Sequence, residues 1–372
     1  MNDNKNSIFN YATKELSQDA VICWILNWVN YPDSELYELG CDLFRSISKE
    51  AETPKEIKIY KQKKSADIVV VIPVLKRIII IEDKVYSTEH DNQIEKYKNE
   101  FEQLDVQKET LGITSEEPFK VSTVYLKTGF FYDADKLVVA DCIIDGKKFY
   151  SIVSNPKYKG KSEILDDYVA FLGELISWYG KNGDISGRYD DGGYYLSWNA
   201  YSQHRLMRLI FPEDMWDGKS IAYRVYNGSS SGRPWTELDI LEPCRFLNSE
   251  DKFELFWRID SATYGPYISF RLYENFDKSN ESKKERHRNY YSRLCEIAKQ
   301  AIENVKSPLD ISWTDVKTGY SGNYKESAIF TIVLKDYLED WNAKKTLLAE
   351  YVRNITKEIV KVVENEQKNG LM

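Results

Sequence analysis

Two runs of β-branched residues, separated by a short connection that contains proline, constrain this chain more than any other feature. The first run covers residues 66–72 and the second covers residues 77–84, and both are apolar over most of their length. This composition is typical of strands that are buried on both faces. Pro73 opens the connection and suits a turn. We therefore predict an antiparallel hairpin in which Ile72 pairs with Arg77.

Charged side chains stand at the open end of this hairpin. The predicted register sets Asp67 opposite Glu82, with their Cβ atoms roughly 5 Å apart, a separation at which like charges destabilise a sheet. Lys84 projects from the same face as Glu82, whereas Asp83 points to the other, because side chains alternate along a strand. A bound cation would offset the repulsion. The alternative is a hairpin whose polar end reaches solvent, and the spacing alone leaves both interpretations open.

A helical pattern follows the second strand. The segment from Thr88 to Asp91 has the form of a capping box, and apolar residues then recur at steps of three and four. Gln93 and Tyr97 are one turn apart on this predicted helix and share a face. They are either a surface amide with a core aromatic ring, or a pair in which the amide turns toward the carboxylates.

Together these residues resemble the PD-(D/E)XK, or restriction-endonuclease-like, nuclease superfamily. The resemblance rests on Asp67, the Glu82-x-Lys84 motif and the Gln93-x-x-x-Tyr97 helix, and it covers roughly the first half of the chain. It implies an α/β fold with a restriction-endonuclease-like αβββαβ core. Helices then flank a central mixed sheet, and the active site lies at one edge of that sheet.

The opening segment adds to the resemblance, and one position departs from it. Residues 13–20, which lead into an apolar helix, look like the first helix of bacterial members of the superfamily, where Glu15 matches their glutamate. Ala66 stands before the acidic strand residue where the family name has proline, a proline that is often absent. The resemblance thus gives a set of candidate catalytic residues: Asp67, Glu82, Lys84, Gln93 and Glu15.

The resemblance implies a metal-dependent nuclease that hydrolyses phosphodiester bonds, in DNA rather than RNA, with an association to bacterial defence. Asp67, Glu82 and the backbone carbonyl of Asp83 offer hard oxygen ligands that suit Mg²⁺, for which Mn²⁺ can substitute. Such an ion would activate a water and offset charge on the phosphate. Lys84 would stabilise the developing negative charge. From the resemblance, Gln93 would orient the nucleophile.

The overall charge opposes nucleic-acid binding, and only local clusters favour it. A net charge of −8 and a pI of about 5.3 provide no global attraction to a phosphate backbone. A basic cluster that includes Lys61, Lys63 and Lys64 adjoins the proposed site, and we expect it to contact nucleic acid. The other interpretation is a solvated face. A homodimer or a protein partner that helps to capture DNA would fit the acidic balance.

The length of 372 residues predicts two domains. We assign residues 1–180 to the nuclease-like domain and residues 181–195, which are rich in glycine and aspartate, to a linker. Residues 196–372 have the pattern of a C-terminal α+β domain that serves substrate recognition or partner binding. In that domain, residues 227–234 read as a hairpin loop. Its hydroxyl groups and Arg233 either contact phosphate or, more simply, belong to a plain connection.

Composition excludes several other classes of protein. An apolar content of 42% excludes wholesale disorder, and no apolar run approaches 18 residues. With its polar beginning, the chain is expected to lack a transmembrane helix and a secretory signal, and to be cytoplasmic. The five widely spaced cysteines predict reduced core thiols, and the three histidines lack ligand spacing. A catalytically inactive nucleic-acid- or protein-binding module with the same fold, and an unrelated α/β protein, remain open alternatives.

Overall fold

The computed structural model separates the chain into two compact units, Met1–Asn182 and Gly183–Met372. It describes residues 7–11, 15–89, 92–181, 200–212, 225–230, 233–240, 244–245, 252–262, 265–277, 279–307, 325–334 and 341–369. The predicted linker lies almost entirely outside the described residues, so the predicted domain boundaries stay a prediction. Within the described residues, none of the helices has the length and apolar character needed to cross a membrane.

A mixed five-stranded sheet forms the centre of the first unit. Its strands are β1 (Lys58–Lys63), β2 (Ala66–Ile72), β3 (Arg77–Lys84), β4 (Lys120–Lys127) and β5 (Cys142–Asp145), in that spatial order. The first three strands are antiparallel neighbours, whereas β3, β4 and β5 run parallel. Parallel strands need a crossover connection, and helices supply it between β3 and β4.

Helices cover both faces of this sheet. They are α1 (Glu15–Asn27), α2 (Tyr37–Ser48), α3 (Gln93–Phe101), α4 (Leu104–Leu111), α5 (Gly146–Val153) and α6 (Glu163–Lys181). Residues of α1, α2, α5 and α6 belong to one hydrophobic core, and residues of α3 and α4 to the other. The element order confirms the predicted αβββαβ core of an α/β, restriction-endonuclease-like fold.

The strands β2 and β3 are buried on both faces, as their composition predicts. Ile79 and Ile81 pack into the core formed with α1, α2, α5 and α6. Ile78 and Ile80 pack into the opposite core with Phe101 of α3. This alternation fixes which face each later residue of β3 presents, because a strand turns its side chains to the two faces in turn. The two cores therefore lock the orientation of the polar residues that end β3.

The predicted hairpin register is confirmed, with Ile72 opposite Arg77. The connection is a single 3₁₀ turn at Pro73–Leu75 followed by Lys76 in the left-handed region. The predicted capping box at Thr88 is wrong as a helix start. The helix α3 begins at Gln93, after Asn92 in a left-handed conformation, and Thr88 belongs to no helix. The other half of the motif, residues 90 and 91, lies outside the described residues.

The second unit is an antiparallel sheet with helices, which confirms the predicted α+β pattern. Its strands are β6 (Val225–Ser230), β7 (Arg233–Asp239), β8 (Cys244–Arg245), β9 (Lys252–Ala262), β10 (Gly265–Glu274) and β11 (Glu326–Val333). Five of them lie in the order β11-β10-β9-β7-β6, and β8 pairs with β9. The helices are α7 (Ala200–Ile210), α8 (Glu281–Asn304) and α9 (Trp341–Lys368). All three helices contribute to one core with the sheet.

The long hairpin loop predicted at residues 227–234 is wrong. The strands β6 and β7 continue through this segment, with Asn227 opposite Thr236 and Ser230 opposite Arg233. Its serines and glycine suggest a loop by composition, but the ladder hydrogen bonds override that local preference. Close packing of the Trp235 ring on Gly228 favours the extended pairing, since a Cβ at Gly228 would lie 2.1 Å from that ring.

A buried glutamine holds the connection between α4 and β4. The side chain of Gln107 donates to the carbonyl oxygens of Phe101 (2.7 Å) and Phe119 (2.9 Å), and it accepts from the amide of Phe119 (2.7 Å). Gln107 has no exposed surface. Its amide therefore satisfies backbone groups that would otherwise be buried without partners.

Replacement of this amide is a direct test of how α3 is held. Gln107→Leu should lower the free energy of unfolding of the first unit by about 2–4 kcal/mol, because buried backbone groups lose their hydrogen bonds. Glu109→Leu, on the exposed side of the same helix, should change it by less than about 0.5 kcal/mol. Urea unfolding followed by circular dichroism measures both. Equal effects of the two variants would contradict this account of Gln107.

Candidate active site

The ends of β2 and β3 bring two carboxylates and an ammonium group together. The pair Ile68 and Ile81 ends the ladder between these strands, and Asp67 and Glu82 come next. The carboxylate of Asp67 accepts a hydrogen bond from the backbone amide of Asp83 at 3.1 Å. Nζ of Lys84 lies 3.7 Å from Oδ2 of Asp67 and donates to Oε1 of Glu82. The three side chains thus occupy one face of the sheet, next to each other.

Glu82 is the most deeply buried carboxylate of this cluster. Only 2% of its side chain is exposed, against 20% for Asp67. Burial raises the pKa of Glu82 to about 7, although the Lys84 ammonium opposes the shift. The charge of Asp67 adds to the increase. A carboxylate that ionises near neutral pH beside a second carboxylate has a strong electrostatic preference for a positive ligand.

Asp83 turns to the opposite face, as the strand alternation predicts. Its carboxylate accepts a hydrogen bond from Nε2 of Gln18 at 2.6 Å. The oxygen of the same Gln18 amide accepts from the hydroxyl groups of Thr128 at 2.6 Å and Tyr168 at 3.3 Å. Gln18 lies on α1, Thr128 follows β4 and Tyr168 lies on α6. The end of β3 is therefore tied to three other elements through one amide.

Asp19 is a residue of this region that the sequence analysis missed. It lies on α1, is 1% exposed, and accepts a hydrogen bond at 3.5 Å from Gln62 of β1. Burial, followed by the charge of the Asp67 carboxylate, raises the pKa of Asp19 to about 6. Lys61 opposes this shift. A third acid therefore stands close enough to Asp67 for their charges to interact.

The side chain of Gln62 links the carboxylates of Asp19 and Asp67. Its Nε2 atom also donates to Oδ1 of Asp67 at 3.2 Å. Gln62 lies within β1 but has a φ of 52°, a left-handed conformation that is rare for a residue with a long side chain. Such strain is stable only where surrounding contacts enforce it, and it is common at functional sites. The conformation is associated here with a side chain that contacts two carboxylates.

The Gln93 and Tyr97 pair lies beside the acids. Nε2 of Gln93 donates to the hydroxyl of Tyr97 at 3.3 Å. Burial raises the pKa of Tyr97, and the charges of Glu82 and Asp67 add to the increase. The Tyr97 hydroxyl is thus within electrostatic reach of both carboxylates. Tyr97 also belongs to the core on this face of the sheet, so the role of Gln93 at the site stays a prediction.

Fewer contacts are described for the other predicted site residues, which are Glu15 and the three lysines on or beside β1. Glu15 is the first residue of α1, one turn before Asp19, but its side chain lies outside the described residues, so its role stays a prediction. Lys61 and Lys64 are exposed and Lys63 is half-buried, all on or next to β1. Lys64 forms an ion pair with Glu100 at 3.4 Å. Their contact with nucleic acid also stays a prediction.

The donor set fits a hard divalent cation in part. Oε2 of Glu82 and Oε1 of Gln93 are buried and have no hydrogen-bond partner within the described residues. Oxygen atoms of this kind are the ligands that Mg²⁺ and Mn²⁺ prefer. No group of three or more acidic, histidine or cysteine side chains that could hold a metal is present in the described part of the chain. The acid pair would therefore need further oxygen ligands from backbone, water or substrate.

The two residues that the sequence did not identify, Gln62 and Asp19, differ in how they could have been found. Gln62 stands across from Asp67 only because β1 and β2 pair in register, with Lys61 opposite Ile68. Asp19 follows Glu15 by four residues, a spacing that places both on one helical face. That spacing was a usable signal for Asp19. No local signal identifies Gln62.

The comparison with known families agrees with the geometry. The family model described as PD-(D/E)XK nuclease superfamily matches residues 8–177, which includes α1, the acidic hairpin and α3. The first unit of the chain therefore belongs to the PD-(D/E)XK nuclease superfamily. The superfamily implies a nuclease that hydrolyses phosphodiester bonds, and such enzymes typically use divalent metals. No curated protein and no solved structure matches the chain.

The raised pKa of Glu82 predicts how stability depends on pH in the absence of metal. The folded state holds the Glu82 proton more tightly than the unfolded state, where the ordinary pKa is about 4.5. Stability should therefore decrease as the pH rises from about 4.5 through about 7. Between pH 4.5 and pH 8, the free energy of unfolding of Glu82→Gln, whose side chain cannot ionise, should decrease by about 2–3 kcal/mol less than that of the native chain.

Chemical unfolding at a series of pH values, in the presence of EDTA, measures this difference. Glu95→Gln, on the exposed side of α3, is the matched control and should follow the native chain. Parallel curves for Glu82→Gln and the native chain would contradict the burial of an ionising group at this position.

Proposed function

We propose that the chain is a metal-dependent endonuclease that hydrolyses phosphodiester bonds in DNA. The observation that carries the proposal is the cluster of Asp67, Glu82 and Lys84 on one face of the sheet, in which the Lys84 ammonium forms ion pairs with both carboxylates. The resemblance to the superfamily supports the proposal, since it implies catalytic residues at Asp67, Glu82 and Lys84. A structural ion pair alone would not require a second, half-buried carboxylate beside the first, since like charges repel.

Asp67 and Glu82, with the backbone carbonyl of Asp83, would hold Mg²⁺ or Mn²⁺ at the site. The bound ion supplies Lewis-acid chemistry, which activates water and offsets charge on the phosphate. Gln62 and the backbone amide of Asp83 each donate a hydrogen bond to Asp67 and hold its two oxygens in orientation. Oε2 of Glu82 is directed to no protein donor within the described residues and is available to a ligand.

Lys84 would act on the phosphate and on the attacking water. Its side chain is 8% exposed, so its ammonium is shielded from bulk solvent and its charge acts over a short distance with little screening. It would stabilise the negative charge that develops on the phosphate oxygens. Gln93, whose amide oxygen is buried and whose amide nitrogen binds Tyr97, would orient the water that attacks.

The substrate is proposed as DNA that approaches over β1. Lys61, Lys63 and Lys64 lie on or beside this edge strand, and an edge strand is accessible from outside the sheet. Lys61 is near enough to Asp19 to influence its pKa, so the basic cluster reaches the acidic site. The acidic chain as a whole favours weak, salt-sensitive binding, assisted by a second copy or a protein partner. A role in bacterial defence rests on the resemblance alone.

A catalytically inactive binding module with the same fold is the second candidate. One observation favours it: the Lys84 ammonium already neutralises Glu82 and lies close to Asp67, so the acids have an internal counter-ion. In that case the chain would bind nucleic acid or a protein without cleavage. The two candidates differ in a measurable way, because only the first requires a divalent metal.

Cleavage with variants of the cluster tests the proposal. Full-length protein with Mn²⁺ or Mg²⁺ should cleave plasmid or oligonucleotide DNA, and Asp67→Asn and Lys84→Ala should each lower the rate at least about 100-fold, because charge stabilisation at the phosphate is lost. Lys120→Ala, on the exposed start of β4, should keep the native rate. Binding of DNA without cleavage in any metal, by a folded chain, would favour the inactive module.

Asp19 is expected to support metal binding from outside the acid pair. Asp19→Asn should raise the Mn²⁺ concentration for half-maximal cleavage about 10-fold, because the site loses a negative charge near Asp67 and Gln62 loses a charged acceptor. Asp105→Asn, on the exposed face of α4, is the control. Metal titration of the cleavage rate, together with Mn²⁺-dependent thermal stabilisation, measures the effect. An unchanged Mn²⁺ requirement would restrict Asp19 to a structural role.

A further inference from the structure

Aromatic side chains collect where β3 and β4 end, and no role described above uses them. Tyr86 follows Lys84 by two residues and has 50% of its surface exposed. Phe130 and Phe131 follow β4 and are both partly exposed. A single exposed aromatic ring is common, but exposed rings that lie close together can mark a binding surface. Their position beyond the carboxyl ends of the strands that carry the acidic site makes them candidates for substrate contact.

The loop that carries these phenylalanines touches the end of β3. The backbone amide of Thr128 donates to the carbonyl oxygen of Lys84 at 3.1 Å. At Gly129, a Cβ atom would lie 1.8 Å from the carbonyl oxygen of Val85, so only glycine permits this approach. The aromatic loop is therefore pressed against the residues that immediately follow the Glu82-x-Lys84 motif.

A buried charge network fixes this loop. Asp135, which has no exposed surface, accepts hydrogen bonds from Nζ of Lys127 at 2.6 Å, the hydroxyl of Tyr125 at 2.5 Å and the backbone amide of Tyr132 at 2.7 Å. Nζ of Lys127 also lies 4.7 Å from the centre of the Tyr132 ring. A carboxylate with three donors anchors both ends of the segment 128–133. The rings are thus positioned before any ligand arrives, which lowers the entropic cost of binding.

One ring of this loop is linked to the acidic site through a single neighbour. Tyr125 pairs with Glu82 in the parallel ladder between β3 and β4. The rings of Tyr125 and Phe131 meet edge to face, with their centres 6.1 Å apart. Phe131 therefore stands one aromatic ring away from the proposed ligand Glu82. Phe130 packs instead against Tyr179 of α6, with ring centres 5.9 Å apart.

We propose that Tyr86 and Phe131 form a stacking surface for unpaired nucleobases next to the scissile phosphodiester. This inference rests on the proposed nuclease function and specifies its substrate: nucleic acid whose strands are separated at the cleavage point. Every base has a π-face that stacks on an aromatic ring, but in a duplex those faces are already covered by neighbouring bases. Stacking also supplies affinity that an acidic chain cannot obtain from the phosphate backbone alone.

The test uses the full-length chain and one oligonucleotide sequence as a single strand and as a duplex, in DNA and RNA versions, with Mn²⁺. We expect kcat/KM for the single strand to exceed that for the duplex at least about 10-fold. Tyr86→Leu and Phe131→Leu should each lower the single-strand value about 10-fold. Tyr31→Leu is the matched control, since Tyr31 is 53% exposed on the connection between α1 and α2, and it should change nothing.

A fluorescent base separates stacking from a merely structural effect. Oligonucleotides that contain 2-aminopurine should lose fluorescence when they bind, and Tyr86→Leu and Phe131→Leu should remove this quenching. If Phe131→Leu lowers the unfolding midpoint, Phe131→Trp, which keeps a stacking surface, should restore both the quenching and the rate. Equal cleavage of duplex and single strand, or losses no greater than that of Tyr31→Leu, would overturn the proposal.

The same measurements distinguish a failure of this inference from a failure of the nuclease assignment. If no substrate is cleaved but the single strand quenches and Tyr86→Leu abolishes the quenching, the stacking surface stands and the enzyme proposal falls. If DNA is cleaved but neither ring affects the rate or the quenching, the enzyme proposal stands and the stacking proposal falls. A second copy of the chain is the alternative partner for this surface. Leu137 and Val139, which are 51% and 87% exposed in the same β4–β5 connection, are apolar residues that such a copy could cover. A change of oligomeric state in Tyr86→Leu, with native substrate preference, would overturn the stacking proposal.

Discussion

Repulsion between carboxylates on a buried sheet face is the constraint on which the first unit depends. Helices cover the apolar parts of β2 and β3 on both faces, so the charged ends of these strands have little contact with solvent: 20% of the Asp67 side chain and 2% of the Glu82 side chain are exposed. Asp67 and Glu82 therefore lie on the same face. The Lys84 ammonium pairs with these carboxylates, and the Gln62 amide and the backbone N–H of Asp83 donate hydrogen bonds to Asp67. Burial nevertheless raises the pKa of Glu82 to about 7, because the loss of hydration outweighs the attraction of the Lys84 ammonium, and the charge of Asp67 adds to the increase. A cation beside these carboxylates would favour their ionised form.

Two layers of contacts hold this cluster in place. On the side of the acid pair, α3 contributes Gln93 and Tyr97, whose position depends on the α4 connection held by Gln107. On the opposite side, Gln18 links the Asp83 carboxylate to β4 and α6. Neighbouring residues of β3 thus have different surroundings: Glu82 and Lys84 lie on the face of the acid pair, and Asp83 between them anchors the strand to the helices on the opposite face.

The sequence predicted those parts of the structure that depend on local periodicity. The hairpin register, the faces of Glu82 and Asp83, and the helical spacing of Gln93 and Tyr97 all follow from alternation along a strand or turns along a helix. The contribution of Gln62 was not predictable, because it arises from pairing between β1 and β2 together with a left-handed backbone. The wrong loop at residues 227–234 has the same origin: composition describes a residue's local preference, and sheet pairing is a long-range effect.

The alternation of β3 has a consequence for how such a site can change in evolution. Glu82 and Asp83 are adjacent in the chain but belong to opposite layers, so an insertion or deletion of one residue after the Pro73 turn would reverse the parity of the strand. The carboxylate that binds Gln18 would then enter the acidic cluster, and every isoleucine would exchange cores. Changes in multiples of two would preserve parity while moving the motif along the sheet. The pleat of β3 therefore allows its length to change in steps of two residues without moving Glu82 off the face of Asp67.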